Sequence, residues 1–261
     1  RFNHTNQHQL LQFSAGMLAL IICIVPITFI SYLICQIPQW GGVFSIVLLT
    51  LCLGHRSLFD HTRPILLAMQ QDDLEHARTL TSRIVSRDKD HIDVNKATIE
   101  SVLENGNDAV FGTLFWFVIG GAAGAVAYRL VNTLDAMWGY RTERFERFGK
   151  VVARLDDLLG WVPARLTAIS YALCGRFAAG LRCWQQQASA CDSPNAGPVM
   201  AAGAGALGVM LGGGAPYHGG WKDKPWLGEG RAASADSIAA ATTLVQRALS
   251  LWLVVLLGVS L

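Results

Sequence analysis

The chain has 261 residues, of which 52 % are apolar and only 15 % charged, against about 25 % charged in a typical soluble domain. That deficit argues against an ordinary water-soluble fold and for burial in lipid. A net charge of +2 with no lysine-rich tract gives no support to nucleic acid as a partner. Six cysteines (Cys23, Cys35, Cys52, Cys174, Cys183, Cys191) lack CxxC spacing. They read as structural thiols rather than metal ligands or a disulfide framework.

Arg1 is not an initiating residue and no cleavable signal peptide precedes Met17, so the sequence reads as lacking its native start. Apolar residues collect over 17–35, 43–53, 109–131, 158–173 and 248–261, with a small-residue run over 196–216. Only some of these reach the ~20 residues that span a bilayer core. The expected fold is all-α, a polytopic membrane protein built as one domain over 1–261. Its parts are a transmembrane hairpin over 17–53, amphipathic cytoplasmic helices over 54–108, a motif-bearing membrane region over 109–231 and a membrane helix over 232–261.

In chain order, 17–35 is a membrane helix with Pro26 as a tolerated kink. IPQWGG (37–42) is a turn, and 43–53 returns as an arm short for a full crossing. Residues 66–85 place Leu67, Leu74, Ala77, Leu80 and Ile84 at helical spacing, which predicts amphipathic helices. Segment 109–131 reads two ways. It is long enough to cross once, with Asn107 or Asp108 as N-cap and Gly120-xxx-Gly124 as a close-packing face. Its central Gly120, Gly121 and Gly124 also suit a re-entrant pair of short helices. Seven Lys or Arg in 54–108 and six in 129–154 put both flanks on the cytoplasmic side, which leans toward re-entry. Arg165 and Pro163 lie in 158–173, where an arginine must face protein, water or ligand. Residues 237–261 form a last helix.

Several constellations carry chemistry. Glu100, Glu104 and Asp108 recur every four residues, so one continuous helix would align them; a solvated acidic face is the ordinary reading, a bridging cation the functional one. Asp156 and Asp157 beside Arg154 suit Mg²⁺, which takes one or two carboxylates plus phosphate oxygens, or an Arg154–Asp157 ion pair. Asn132 and Asp135 share a helix face at the membrane exit. Arg141, Arg144, Arg147 and Lys150 alternate with Glu143 and Glu146 and read mostly as a surface helix. GAGALG (203–208) matches GxGxxG but follows no strand, so it reads as a close-packed helix rather than a dinucleotide loop. PYHGGWKDKPWLGEGR (216–231) reads as a lid over a ligand or as a surface excursion.

The blocks GHRSL (54–58), ESVLENGNDAV (100–110), LFWFVIGGAAGAVAYRLVNTLDAMWGYR (114–141), FGKVVARLDDLLGWVPARLTA (148–168), SPNAGPVMAAGAGALGV (193–209) and KPWLGEG (224–230), in this order, resemble the CobD/CbiB family of cobalamin biosynthesis, the adenosylcobinamide-phosphate synthases. The resemblance runs from about Gly54 to the C-terminus. It implies an enzyme of the bacterial inner membrane, multi-pass, with its site facing the cytoplasm. The implied reaction is ATP- and Mg²⁺-dependent amide ligation of the corrinoid adenosylcobyric acid to aminopropanol or its O-phosphate. Membrane lipid surrounds such a protein, and a homo-oligomer or other cobalamin-assembly enzymes would be its protein partners.

On that resemblance, Asp135, Asp156, Asp157 and Arg154 are the catalytic candidates. Glu100, Glu104 and Asp108 are the metal candidates. Asn105, Asn132, Arg141, Arg165, Asn195 and Lys224 are the substrate-binding candidates. Two features depart from the family pattern. An N-terminal apolar segment with an HPV-type motif is missing, and Gly106-Asn107 stands where Thr-Ser is general. A non-catalytic membrane regulator similar to the AmpE proteins is the competing expectation, although NTLDAMWGYR and RLDDLLGWVPARLTA are blocks it would lack. A transporter is a third.

Overall fold

The computed structural model describes residues 4–85, 91–139, 147–217 and 220–260. It is a helical protein with ten α-helices among the described residues and a few short strands. Four stretches are long and apolar enough to cross a membrane: Leu11–Cys35, Gly41–Gln70, Val94–Trp138 and Ala235–Gly258. On the first, second and last of these most apolar side chains face outward, whereas half of Val94–Trp138 is buried within the protein. Leu18, Ile22, Val25 and Phe29 on the first, Ile46 and Leu51 on the second, and Val254 and Leu257 on the last are all exposed. So much outward apolar surface is stable only against lipid. The all-α polytopic expectation therefore holds.

The helices group into two compact units. The first contains residues 1–53 and 108–161. In it, α1 (His4–Cys35) carries Pro26 internally, and α2 (Gly41–Cys52) returns after a turn in which Gln39 adopts φ 67°. Leu20 of α1 packs with Val131 and Val152, flanked by Leu134, Trp138, Leu155 and Leu159.

The helix after Asn107 is entered through a π-turn, Asn107–Phe111, and not through a polar N-cap. That turn follows α5 (Val94–Gly106) without a break in helical backbone, so neither Asn107 nor Asp108 starts a new helix. The next element, α6 (Gly112–Trp138), reverses at Gly120 (φ −125°, ψ 16°) and Gly121 (φ 61°, ψ −158°). Gly121 occupies a region open almost only to glycine. Contacts on either side prove the reversal. Arg129 Nη1 lies 3.2 Å from the Asp108 carbonyl, whereas 21 residues of straight helix would separate them by about 31 Å. Gly112 lies against the Tyr128 hydroxyl and Gly124 against the Trp116 carbonyl, where a Cβ would collide. Segment 112–138 is thus an antiparallel helical hairpin. The indole of Trp116 on its first arm donates to the Leu159 carbonyl at 3.0 Å on α7 (Lys150–Cys174).

The second unit contains residues 54–107 and 162–261. α3 (His55–Gln70) and α4 (Leu74–Thr81) meet at a turn where Asp72 has φ 57°. The Asp73 side chain caps α4 by accepting from His76 N at 3.0 Å. Ile65, Ala68, Ala77, Ile92, Val94 and Ala97 form their core. The turn resets the helical phase, so Leu67 and Leu74, expected on the buried face, are exposed. α8 (Phe177–Gln187) packs on α9 (Ala196–Leu207) through small residues, with Gly205 against the Ala179 carbonyl. The GxGxxG match lies in α9, and Gly208 ends it in the left-handed conformation at φ 68°.

The segment expected to form a lid or loop is partly β-structure. β1 (Val209–Gly212) lies between antiparallel β4 (Trp226–Gly228) and parallel β5 (Arg231–Ala232). β2 (Ala215–Tyr217) pairs antiparallel with β3 (Gly220–Lys222). α10 (Ala235–Ser260) closes the chain, and its Trp252 indole donates to Ser170 Oγ at 2.9 Å.

Candidate functional site

In the first unit, the second arm of the hairpin puts Tyr128, Arg129, Asn132 and Asp135 within two helical turns, and α7 presents Asp156 and Asp157. Arg129 Nη1 donates to Asn132 Oδ1 at 3.0 Å. Asn132 Nδ2 donates in turn to Asp156 Oδ1 at 3.3 Å. Burial pushes the Asp156 carboxyl up to about 7, helped by the negative charges of Asp108 and Asp135 and, less, Asp157, while the Asn132 hydrogen bond opposes the rise. Burial raises Asp157 too. The Oδ1 atom of Asp135 is buried with no hydrogen-bond partner among the described residues. A carboxyl that ionises near neutrality among three other acids, with an orphaned carboxylate oxygen nearby, is an arrangement whose charge and hydrogen-bonding capacity a cation or an amine would satisfy.

Of the catalytic candidates, Asp135, Asp156 and Asp157 therefore come together, and Asn132 and Asp108 join them. Arg154 does not; it is exposed on α7. Arg141 lies outside the described residues. Among the described residues no three His, Cys, Asp or Glu side chains converge as ligands of one ion. The four aspartates nonetheless offer hard oxygen donors, the type Mg²⁺ takes one or two at a time beside phosphate oxygens, so the donor chemistry fits that ion.

The second unit holds the other candidates. Glu100 is buried, 7 % exposed, and its Oε1 accepts from Gly212 N at 2.8 Å, bracing the end of β1. Glu104 and Asn105 are exposed. Asn105 Nδ2 turns back on its own helix, donating to the Ser101 carbonyl at 2.9 Å. Because the π-turn follows Gly106, the expected row of Glu100, Glu104 and Asp108 is broken at its third member, and Asp108 belongs to the other unit. Arg165 Nη1 donates to Asn195 Oδ1 at 3.1 Å, and Asn195 is 6 % exposed. The Cys191 thiol is pushed up by burial and then by Asp192, with Glu100 and Glu104 adding to the rise and Lys224 opposing it. Those five side chains are thus within electrostatic reach of one point.

The KPWLGEG strand is strapped down. Gln187 bonds both backbone groups of Gly228, at 2.7 and 3.1 Å, and Arg182 forks onto Glu229. Lys96 Nζ stands 4.6 Å from the centroid of the Trp226 ring and 3.6 Å from Asp93. The departure at Gly106-Asn107 is accommodated. Gly106 makes room for the Tyr171 hydroxyl, which donates to the Leu103 carbonyl at 3.1 Å. Asn107 Oδ1 accepts from Thr167 Oγ1 at 2.9 Å.

Sequence reasoning missed Arg129, although the signal was present. An arginine at the end of a membrane-grade apolar run, three residues before Asn132, demands a partner by the same argument that singled out Arg165. Gln187 and Arg182 gave no such signal, since polar side chains on an amphipathic helix are ordinary.

A family model described as CobD/Cbib protein matches residues 1–245. A cobalamin biosynthesis protein CobD from Stutzerimonas stutzeri is 54 % identical over 247 residues, covering 94 % of this chain and 82 % of the relative. The protein of that name from Chromobacterium violaceum is 51 % identical over 240 residues, 91 % of this chain and 77 % of the relative. That from Brucella suis is 37 % identical over 235 residues, 85 % and 71 % respectively. No solved structure matches the chain. With the polar cluster, the helical membrane fold and these matches together, the chain belongs to the CobD/Cbib family of cobalamin biosynthesis proteins.

Proposed function

We propose that this chain catalyses ATP-dependent amide ligation, joining a carboxylate of adenosylcobyric acid to aminopropanol or its O-phosphate. The observation that carries the reading is the Arg129–Asn132–Asp156 hydrogen-bond chain set among Asp108, Asp135 and Asp157, where burial and those charges push the Asp156 carboxyl up to about 7. A carboxylate is a poor electrophile, and an ammonium ion cannot attack one. The reaction therefore needs the acid activated and the amine deprotonated.

ATP would supply the phosphoryl group that makes the carboxylate oxygen a leaving group, and Mg²⁺, taken by one or two of Asp108, Asp135 and Asp157 beside phosphate oxygens, would neutralise charge on the phosphates. Asp156 takes the proton from the amine. A carboxyl that ionises near 7 is a far stronger base than an ordinary one and is still available at neutral pH. Because Asn132 Nδ2 already donates to Oδ1, the proton goes to Oδ2. Asn132 thereby holds the carboxyl in one orientation. In the second unit, Arg165, Asn195 and Lys224 are the candidates for the corrinoid rim and for phosphate, and Asn105 for a peripheral amide. Glu100, which accepts from Gly212 N, and Glu104 are the candidates for a second ion.

The hairpin supports a re-entrant placement in a bacterial inner membrane with the cluster at the cytoplasmic boundary. Its tip residues Val118 and Ile119 are apolar and exposed. Asp108 and Asn132 lie 12 and 11 residues from the turn, or about 17 Å at 1.5 Å per residue. Half of a ~30 Å hydrocarbon core is about 15 Å, so a tip at the midplane leaves the polar base at the interface.

The test is product analysis by mass spectrometry with purified protein, ATP, Mg²⁺, adenosylcobyric acid and aminopropanol or its phosphate. An amide product that requires every component supports the reading. ATP-independent corrinoid binding without product, in folded protein, would favour a regulator.

A further inference from the structure

We propose that Arg129 is a positioning residue of this ligation, fixing through Asn132 the orientation of the Asp156 carboxyl; the inference rests on the functional reading above. A guanidinium has five donors and no acceptor. Its Nη1 lies 3.0 Å from Asn132 Oδ1, so the amide must turn its oxygen toward Arg129. The amide nitrogen then points the other way, where it donates to Asp156 Oδ1 at 3.3 Å. Direction is thus imposed along the relay, and Oδ2 is the oxygen that remains.

Without Arg129 only the Asp156 carboxylate distinguishes the two ends of the Asn132 amide, and it does so only while ionised, since a protonated carboxyl can donate as well as accept. A flip would set its oxygen against the carboxylate and abolish the bond that holds Asp156 in place. Arg129 is itself tethered. The same Nη1 lies 3.2 Å from the Asp108 carbonyl, in the π-turn at the base of the opposite hairpin arm. Irregular π-turns of this kind free backbone groups for such bonds and recur at functional sites. The relay therefore links both arms of the hairpin to α7 within one compact unit. The groups that act directly on the Asp156 carboxyl are Asp108, Asp135, Asp157 and Asn132. Arg129 reaches it through the amide.

The experiment is a double-mutant cycle with Arg129→Ala and Asn132→Ala, reading kcat and KM for ATP, corrinoid and amine, with folding followed by thermal melting in detergent. Losing the fixed geometry should lower kcat in R129A about 10²-fold while each KM changes less than about twofold. R129A in the N132A background should cost no more than about twofold further, because the relay is already cut. Added guanidinium should restore part of the R129A rate and none of the N132A rate. If R129A does not fold, Arg129→Met, which keeps the apolar stem and removes the donor, completes the cycle. Losses that multiply in the double variant, or a rise in KM with unchanged kcat, would overturn the role while leaving the ligase reading intact. Absence of turnover in folded wild-type protein would overturn both.

Discussion

Replacing Asp156 by asparagine should make the protein more resistant to alkaline destabilisation even as it removes activity. In the folded chain this carboxyl ionises at about 7, against 3.8 for an unburied aspartate. Because the folded value is the higher one, the group's contribution to stability is complete below about pH 4. It drains away as pH rises and levels off once pH passes 7. Integrated from pH 5 to pH 8, the loss is about 2.5 kcal/mol. For a protein of this size, at roughly 2–4 °C per kcal/mol, the melting temperature would fall by about 5–10 °C. A carboxamide at this position has no proton to lose, so the D156N variant should lack that slope. Asp157, also raised by burial, slopes both curves alike, and the difference between them isolates Asp156. Scanning fluorimetry of wild-type and D156N protein in detergent, across this pH range and without Mg²⁺, is the assay. Parallel curves would refute the reasoning, since they would mean that Asp156 is ionised in the folded state throughout.

Other positions have equally definite expected outcomes. Gly121→Ala should destabilise by about 1–3 kcal/mol, the cost of a non-glycine residue in its backbone region, whereas Gly120→Ala, with φ −125° and open space around it, should melt like wild type. Gly106→Thr should lower stability by about 1–3 kcal/mol through collision with the Tyr171 hydroxyl, read as a fall in melting temperature that Tyr171→Phe partly relieves. In a cysteine-free background, Asn105→Cys and Thr133→Cys, which flank the two bases of the hairpin, should both react with a membrane-impermeant thiol reagent from the cytoplasmic side. Labelling from opposite sides would mean that the segment crosses.

Much of the fold was legible because lipid imposes a coarse rule on composition. Long apolar runs around Pro26 and toward the C-terminus could only be membrane helices, and the glycine pair at 120–121 marked where one could turn. What the pattern concealed were local breaks of register. Glu100, Glu104 and Asp108 form a row only if the helix keeps 3.6 residues per turn. The π-turn beginning at Asn107 adds a residue and sends Asp108 to a different cluster. The turn at Asp72 likewise exposes Leu67 and Leu74. Strands β1 to β5 were illegible because glycine and proline interrupt every alternating run between Val209 and Ala232. The acidic pair Asp156–Asp157 and the Asn132–Asp135 face could be read as chemistry. Their convergence could not, because it depends on how α7 packs against a hairpin.

The most direct test follows the carboxylate oxygen. Adenosylcobyric acid carrying heavy oxygen in its reacting carboxylate is turned over with ATP, Mg²⁺ and aminopropanol phosphate, and the released inorganic phosphate is analysed by mass spectrometry. Activation by phosphoryl transfer predicts one labelled oxygen in the phosphate for each amide formed, with none released by D156N. Amide formed with unlabelled phosphate, or at an undiminished rate by D156N, would contradict it.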